Sequence, residues 1–230
     1  MQQLPLPVRL RTSSVFSGYV AGPNATVVQS LYQQQFTASP VVFIYGQVAT
    51  GKTHLLQALC VEAGRRQQVA VYLPADDLLR YGPELLKGSS QYSFLCIDDI
   101  DRVLGEALWN GALFNIYREF EENGGKLVVS ATQPPSSCSI SLADLRSRIL
   151  AGMVLHLQPL NELQQMEALR LHASQRGLEL PDETIHYLQR RLPRDMATLC
   201  QFLDELDIAS LAAQRKLTVP FVKQVLDERR

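Results

Sequence analysis

The chain has 230 residues, 46% hydrophobic and 20% charged, and its 22 basic and 23 acidic side chains leave a net charge of −1. That length accommodates one large domain or two modest ones around a real core. Near-neutral charge, with no lysine/arginine run longer than a pair, excludes the electrostatic footprint of a DNA-binding domain, and no apolar run is long enough to span a bilayer. The start lacks a signal-peptide pattern. Cys60, Cys96, Cys138 and Cys200 are scattered without metal-ligand spacing, as expected of reduced thiols in a cytoplasmic protein.

In chain order, residues 1–14 hold two prolines and little core-forming pattern, and read as an extended tail. Nearly continuous apolar runs follow at 41–45, 69–73, 93–97, 126–131 and 153–157. Their β-branched and aromatic content suits strands buried on both faces of a parallel sheet. Helical patterns at 53–67, 77–87 and 106–123 alternate with them, which predicts an α/β domain with crossover helices. Beyond residue 157 only amphipathic stretches remain, at 162–176, 182–191, 195–213 and 220–228. Asn161 reads as a cap, Gly177 as a stop and Pro220 as a first-turn residue. The expected organisation is a tail over 1–14, an α/β domain over 15–158 and an all-α subdomain over 159–230.

Between the first strand and the first helix lies Gly46-Gln47-Val48-Ala49-Thr50-Gly51-Lys52-Thr53, which fits G-x-x-x-x-G-K-[ST] at every fixed position. In such a loop glycines let backbone amides converge on a phosphate, and the helix N-terminus adds partial positive charge. Lys52 would reach the outer phosphates, and the Thr53 hydroxyl would help hold Mg²⁺. A later strand, Phe94-Leu95-Cys96-Ile97, ends in Asp98-Asp99, at the carboxyl edge where ligands of parallel sheets sit. Asp98 is expected to hold Mg²⁺ directly or through water, and Asp99 to orient an attacking water. At another strand end, Thr132 or Gln133 could hydrogen-bond a terminal phosphate. The four histidines are dispersed with no nucleophile at motif spacing, and Trp109 reads as a core residue.

Strand, GxxxxGKTHLLQA, apolar strand ending in Asp-Asp, and polar strand end together resemble the AAA+ ATPases, and among them the bacterial replication initiator DnaA. Tyr45-Gly46, Gly51-Lys52-Thr53-His54-Leu55-Leu56 and Ile97-Asp98-Asp99-Ile100 carry the likeness, which spans about residues 15–228. It implies an AAA+ P-loop domain, its parallel sheet sandwiched by helices, followed by a small helical lid. It also implies ADP or ATP with Mg²⁺, held by residues 46–53 and His54, with Phe16, Tyr19, Val20, Gly22 and Asn24 covering the adenine. Nothing resembles DnaA's helix-turn-helix or its N-terminal interaction domain. The segment 212–223 is similar to a DnaA-related family of regulators that inactivate the initiator. Leu145-Arg146-Ser147-Arg148-Ile149 stands at that family's arginine finger, implying that Arg148 reaches a neighbouring subunit's γ-phosphate while Arg146 is structural or solvated. Gln3-Leu4-Pro5-Leu6-Pro7 resembles the short peptide that docks on the replicative sliding clamp. The Gln3 amide would make paired hydrogen bonds, Leu4 and Leu6 would fill an apolar groove, and the prolines pre-set an extended form.

Two positions depart from the family. Ala197 stands where the lid presents an arginine to the γ-phosphate, leaving Arg194 as the substitute, and Thr132 replaces an acid. Without that charge-assisted hydrogen bond, the preference for a triphosphate falls by about 1.5–3 kcal/mol. The expectation is a negative regulator of replication initiation that holds ADP and has weak or no turnover of its own. It would dock on the clamp, touch DNA only through it, and stimulate hydrolysis on DnaA through Arg148; self-association stays open and no membrane is involved. Two rivals share the fold. One is an autonomous ATPase acting as DNA remodeller or helicase loader, favoured by the intact loop and Asp98/Asp99. The other is an oligomerisation module in which Arg148 only bridges subunits.

Overall fold

In the computed structural model, which describes residues 14–193 and 195–229, each of the five apolar runs is a strand. The expectations on Gln3, Leu4, Leu6 and Arg194 lie outside the described residues. In chain order the elements are α1 (Ala25–Gln33), β1 (Val41–Gly46), α2 (Lys52–Arg65), β2 (Ala70–Pro74), α3 (Ala75–Tyr81) and β3 (Phe94–Asp98). They continue with α4 (Ala107–Asn123), β4 (Lys126–Ala131), α5 (Ala143–Leu150) and β5 (Met153–Leu157). The sheet order is β2-β3-β4-β1-β5 and every pairing is parallel. Apolar residues fill both faces because both are covered. Val41, Phe43, Leu95, Ile97 and Val129 pack with α4 and α5, whereas Val42, Ile44, Cys96, Val128 and Leu157 pack with α2 and Leu31 of α1. Trp109 lies in the first layer and is 3% exposed, in keeping with a core role. Each large aliphatic buried here contributes roughly 1.5–3 kcal/mol.

The chain divides into two compact units between Pro159 and Leu160. The second contains α6 (Glu162–Gln175), α7 (Asp182–Arg191), α8 (Met196–Ala213) and α9 (Val219–Glu228). Leu169, Ile185, Leu188, Leu199, Phe202 and Val222 are at the centre of its core. Asn161 caps α6 in a reciprocal box with Gln164, at 2.9 and 3.0 Å. After α6 the chain turns at Gly177, whose φ of 72° suits a residue without Cβ. Asp195 does not begin α8 but caps it, accepting from the Thr198 amide at 2.8 Å. Among the described residues, no helix is long and apolar enough to cross a membrane.

Two other expectations change. The helix expected over 77–87 runs Ala75–Tyr81, because Gly82 adopts φ 81° and ψ 174° and Pro83 cannot donate an amide proton. Residues 83–86 form a separate 3-10 turn. The helix expected over 53–67 ends at Arg65, and Gln67 turns left-handed at φ 61°. Two helices are additional to those expected: α1, which fully buries Leu31 with Val27 and Val28 packed beside it, and α5, anchored by Leu145 and Ile149.

Candidate nucleotide-binding site

The loop between β1 and α2 is shaped by close approach. A Cβ on Gly46 would stand 2.6 Å from the Leu157 carbonyl oxygen of β5, and one on Gly51 would stand 2.4 Å from the Tyr19 ring. Gly51 also has φ 90°, open to glycine at little strain, while Ala49 holds φ 65°. Val48 forms the exposed tip, and Thr50 closes the turn by donating its hydroxyl to the Gln47 carbonyl at 2.9 Å. Lys52 is 7% exposed and donates Nζ protons to the carbonyls of Gly46 and Gln47 at 2.8 and 3.0 Å. Burial lowers its pKa; Asp99, Asp98 and Asp101 act in the opposite direction. An ammonium has three protons, so two bonds into the loop leave one more to give.

Behind the loop, the Asp98 carboxylate gathers three hydroxyls. Thr53 of α2 donates to Oδ2 at 2.6 Å, Tyr72 of β2 donates to the same oxygen at 2.8 Å, and Ser130 of β4 donates to Oδ1. The Ser130 oxygen also accepts the Asp99 amide at 2.9 Å. Asp99 leaves the strand in left-handed conformation at φ 54°. Burial, and then the charge of Asp98, raise its pKa, opposed by Lys52. The structure thus brings Lys52, Thr53, Asp98 and Asp99 together at the carboxyl edge of the sheet.

The segment over 16–24 packs beside the loop. Tyr19 donates its phenol to the Thr50 carbonyl at 2.9 Å, and burial pushes its pKa up to about 12. Phe16 meets the Tyr32 ring edge-on at 5.5 Å, while Val20 is half-buried. His54 lies 5.6 Å from the Tyr19 ring centroid, and its Nε2 is 2.8 Å from the Val15 carbonyl oxygen. Burial lowers the His54 pKa. Asn24 faces inward: its amide exchanges two hydrogen bonds with the Gln158 backbone, at 2.8 and 2.9 Å, and donates a longer one to Tyr19. It ties the segment to the end of β5. Asn24→Ala should destabilise the α/β unit by about 2 kcal/mol, because the Gln158 amide and carbonyl lose their partners. A chemical-unfolding midpoint unchanged from the native protein would contradict this role.

Thr132 is exposed, and Asp101 engages its amide at 3.1 Å and its hydroxyl at 2.5 Å. Arg148, on α5, is also exposed; its NH1 is 3.8 Å from Glu121 Oε1, and its guanidinium lies 5.5 Å over the Tyr117 ring. Arg146 is exposed as well. Ala197 lies in the first turn of α8, in the second unit.

The residues fit a magnesium nucleotide. Among the described residues, no three His, Cys, Asp or Glu side chains group as a metal site. Thr53 and Asp98 would instead offer oxygen ligands to a Mg²⁺ whose shell substrate phosphates and waters complete.

The family model described as the bacterial DnaA ATPase domain matches residues 10–156, and the one described as Hda, lid domain, matches residues 162–226. The chain belongs to the DnaA ATPase family. Domain III of Thermotoga maritima DnaA superposes with a TM-score of 0.81 at 20% identity, over 96% of this chain and 98% of that one. AMPPCP-bound DnaA from Aquifex aeolicus gives 0.69 at 22% identity, over 88% and 68% of the two chains. The RuvB Holliday junction branch migration motor of Thermotoga maritima gives 0.64 at 16%, over 88% and 66%. These likenesses establish the fold: an AAA+ domain with a helical lid.

In this DnaA-family chain, sequence reasoning missed Tyr72, Ser130, Asp101 and the Gln158 backbone. A signal existed for the first two. Each is a hydroxyl within the apolar run of its strand, where burial is tolerated only with a hydrogen-bond partner.

Proposed function

We propose that this protein regulates replication initiation as a nucleotide-holding adaptor in the cytoplasm. It carries ADP with Mg²⁺ and promotes hydrolysis of the ATP bound to DnaA. The observation that carries the reading is the coexistence, on one chain, of the DnaA ATPase match over 10–156 and the Hda lid match over 162–226. Residues 46–53 hold the phosphates, with Lys52 neutralising charge and Thr53 and Asp98 facing the cation. Bound Mg²⁺ would supply charge neutralisation at the phosphate oxygens. Arg148 is the residue given in trans. Half-exposed, paired with a half-exposed Glu121 at 3.8 Å and resting over the Tyr117 ring, it is weakly held and can swing toward a partner's nucleotide. Gln3, Leu4 and Leu6 dock the chain on the sliding clamp, so that regulation follows clamp loading on DNA.

A second reading, an autonomous ATPase, draws on the Thr53–Asp98 bond and on Asp99 with its raised pKa beside them. Ala197 weighs against it, since alanine cannot hydrogen-bond a γ-phosphate, and so does Thr132, whose hydroxyl proton is given to Asp101. Hydrolysis of labelled ATP preloaded on DnaA, followed with clamp on DNA, separates the readings. The adaptor reading predicts acceleration when the ADP-bound protein is added. Unaccelerated DnaA, together with steady ATP turnover by this chain alone, would favour the second.

A further inference from the structure

Phosphate-loop chemistry explains Thr53 and Asp98 but not why Asp98 takes two further hydroxyl protons. Tyr72 and Asp98 are 8% and 5% exposed, and Ser130 is fully buried. Tyr72 reaches Asp98 from the neighbouring strand. Parallel register sets Tyr72 beside Cys96 and Pro74 beside Asp98, so the phenol extends toward the carboxyl edge to donate to Oδ2. Its ring is packed in the layer formed by Phe94, Cys96 and α2, which fixes the hydroxyl. Phenylalanine would fill the same space without bringing a polar atom into the core, where an unbonded hydroxyl is costly. The oxygen therefore has a use at the carboxylate.

A hydroxyl carries one proton and two lone pairs. Ser130 gives its proton to Oδ1 while accepting the Asp99 amide, and Thr53 gives its proton to Oδ2. With its proton turned to Asp98, the Thr53 oxygen has only lone pairs left to offer, which is what a cation ligand requires. Asp98 goes on accepting that hydrogen bond in the same geometry only if the carboxylate does not rotate. Two independent donors, one on each oxygen and from the strands on either side of β3, stop the rotation.

We infer that Tyr72 is a positioning residue for a divalent cation: its buried hydroxyl holds Asp98 so that Thr53 presents lone pairs to the metal of a metal–nucleotide complex. This rests on the reading of the loop as a magnesium-nucleotide site. Tyr72, whose hydroxyl also meets the buried Gln57 side chain, acts on the cation through its bond to Asp98. Outer partners of this kind typically change metal affinity by 10- to 100-fold when removed.

The test is calorimetric titration of ADP, once with Mg²⁺ and once with EDTA, into the native protein and into Tyr72→Phe. The native protein should bind ADP more tightly with Mg²⁺. The variant should match it within about twofold in EDTA but lose roughly tenfold of affinity in Mg²⁺. Ser130→Ala, which frees the other carboxylate oxygen, should show the same metal-selective loss and serves as the second variant should Tyr72→Phe fold poorly. Equal losses in Mg²⁺ and EDTA would reduce Tyr72 to a packing residue and overturn the inference. So would a full Mg²⁺ gain in both variants; in that case the nucleotide reading stands. If the native protein binds no ADP under either condition, the nucleotide reading falls and the inference with it.

Discussion

Arg148→Ala is expected to leave the fold intact and to remove the acceleration of ATP hydrolysis on DnaA, a loss of roughly 10³-fold or more if the residue acts as a finger. Helix α5 has two unlike faces. Leu145 and Ile149 anchor the helix in the core at 0 and 2% exposure, while Arg148 points outward. Its interactions at home are weak: a half-exposed pair with Glu121 at 3.8 Å, and the Tyr117 ring at 5.5 Å. Exposed pairs of this kind are worth about 0–1 kcal/mol, so alanine should barely alter the unfolding transition. A guanidinium placed against a partner's γ-phosphate acts instead on charge developing in the transition state. Arg148→Lys keeps the charge but loses the planar fork and should recover only part of the rate. Single-turnover hydrolysis of labelled ATP on DnaA, with clamp on DNA, reads all three proteins. Equal acceleration by native protein and alanine variant would transfer the role elsewhere, with Arg146 next in line.

Lys52→Ala should weaken ADP binding by roughly 100-fold. The native ammonium is buried and donates to the Gly46 and Gln47 carbonyls at 2.8 and 3.0 Å, so it sits within the loop that would receive phosphate. Each charge-assisted hydrogen bond contributes about 1.5–3 kcal/mol, and 1.4 kcal/mol corresponds to a factor of ten. One such bond to a phosphate oxygen, from the proton the loop leaves unused, accounts for the expected loss at the upper end of that range. Lys52→Arg should do little better, because the side chain is 7% exposed and its ammonium sits 2.8 and 3.0 Å from two loop carbonyls, where the larger guanidinium does not fit. Calorimetric titration of ADP is the measurement, and native-like affinity in Lys52→Ala would show that the loop binds phosphate through its backbone alone.

Legibility in the sequence follows distance along the chain. The phosphate loop is eight consecutive residues between a strand and a helix, so pattern alone locates it and its neighbours. Asp98 is legible because it ends an apolar strand. Tyr72 and Ser130 are legible only as hydroxyls that need a partner; their convergence on Asp98 depends on β3 lying between β2 and β4, an order that composition does not reveal. Family resemblance places Asn24 over the adenine, whereas its amide grips Gln158, 134 positions away. No local pattern encodes such a pair. The sequence offers Thr132 or Gln133 as a donor to a terminal phosphate or water, but gives no sign that Asp101, three residues beyond Asp98, accepts the Thr132 proton. The end of α3 at Gly82-Pro83 is readable in principle, but the surrounding apolar periodicity masks it. Between Arg146 and Arg148 the sequence offers no physical distinction, and both are exposed on α5, so the choice rests on family resemblance.

The measurement that bears most directly on the account is titration of ADP and of ATP, with Mg²⁺, into the purified native protein, followed by analysis of the recovered ATP. The expected result is one nucleotide per chain, ADP held at least as tightly as ATP, and recovered ATP largely uncleaved. Absence of binding at millimolar ADP would contradict the nucleotide site itself. Tight ATP binding with rapid cleavage would make the chain an ATPase in its own right and contradict its role as an adaptor.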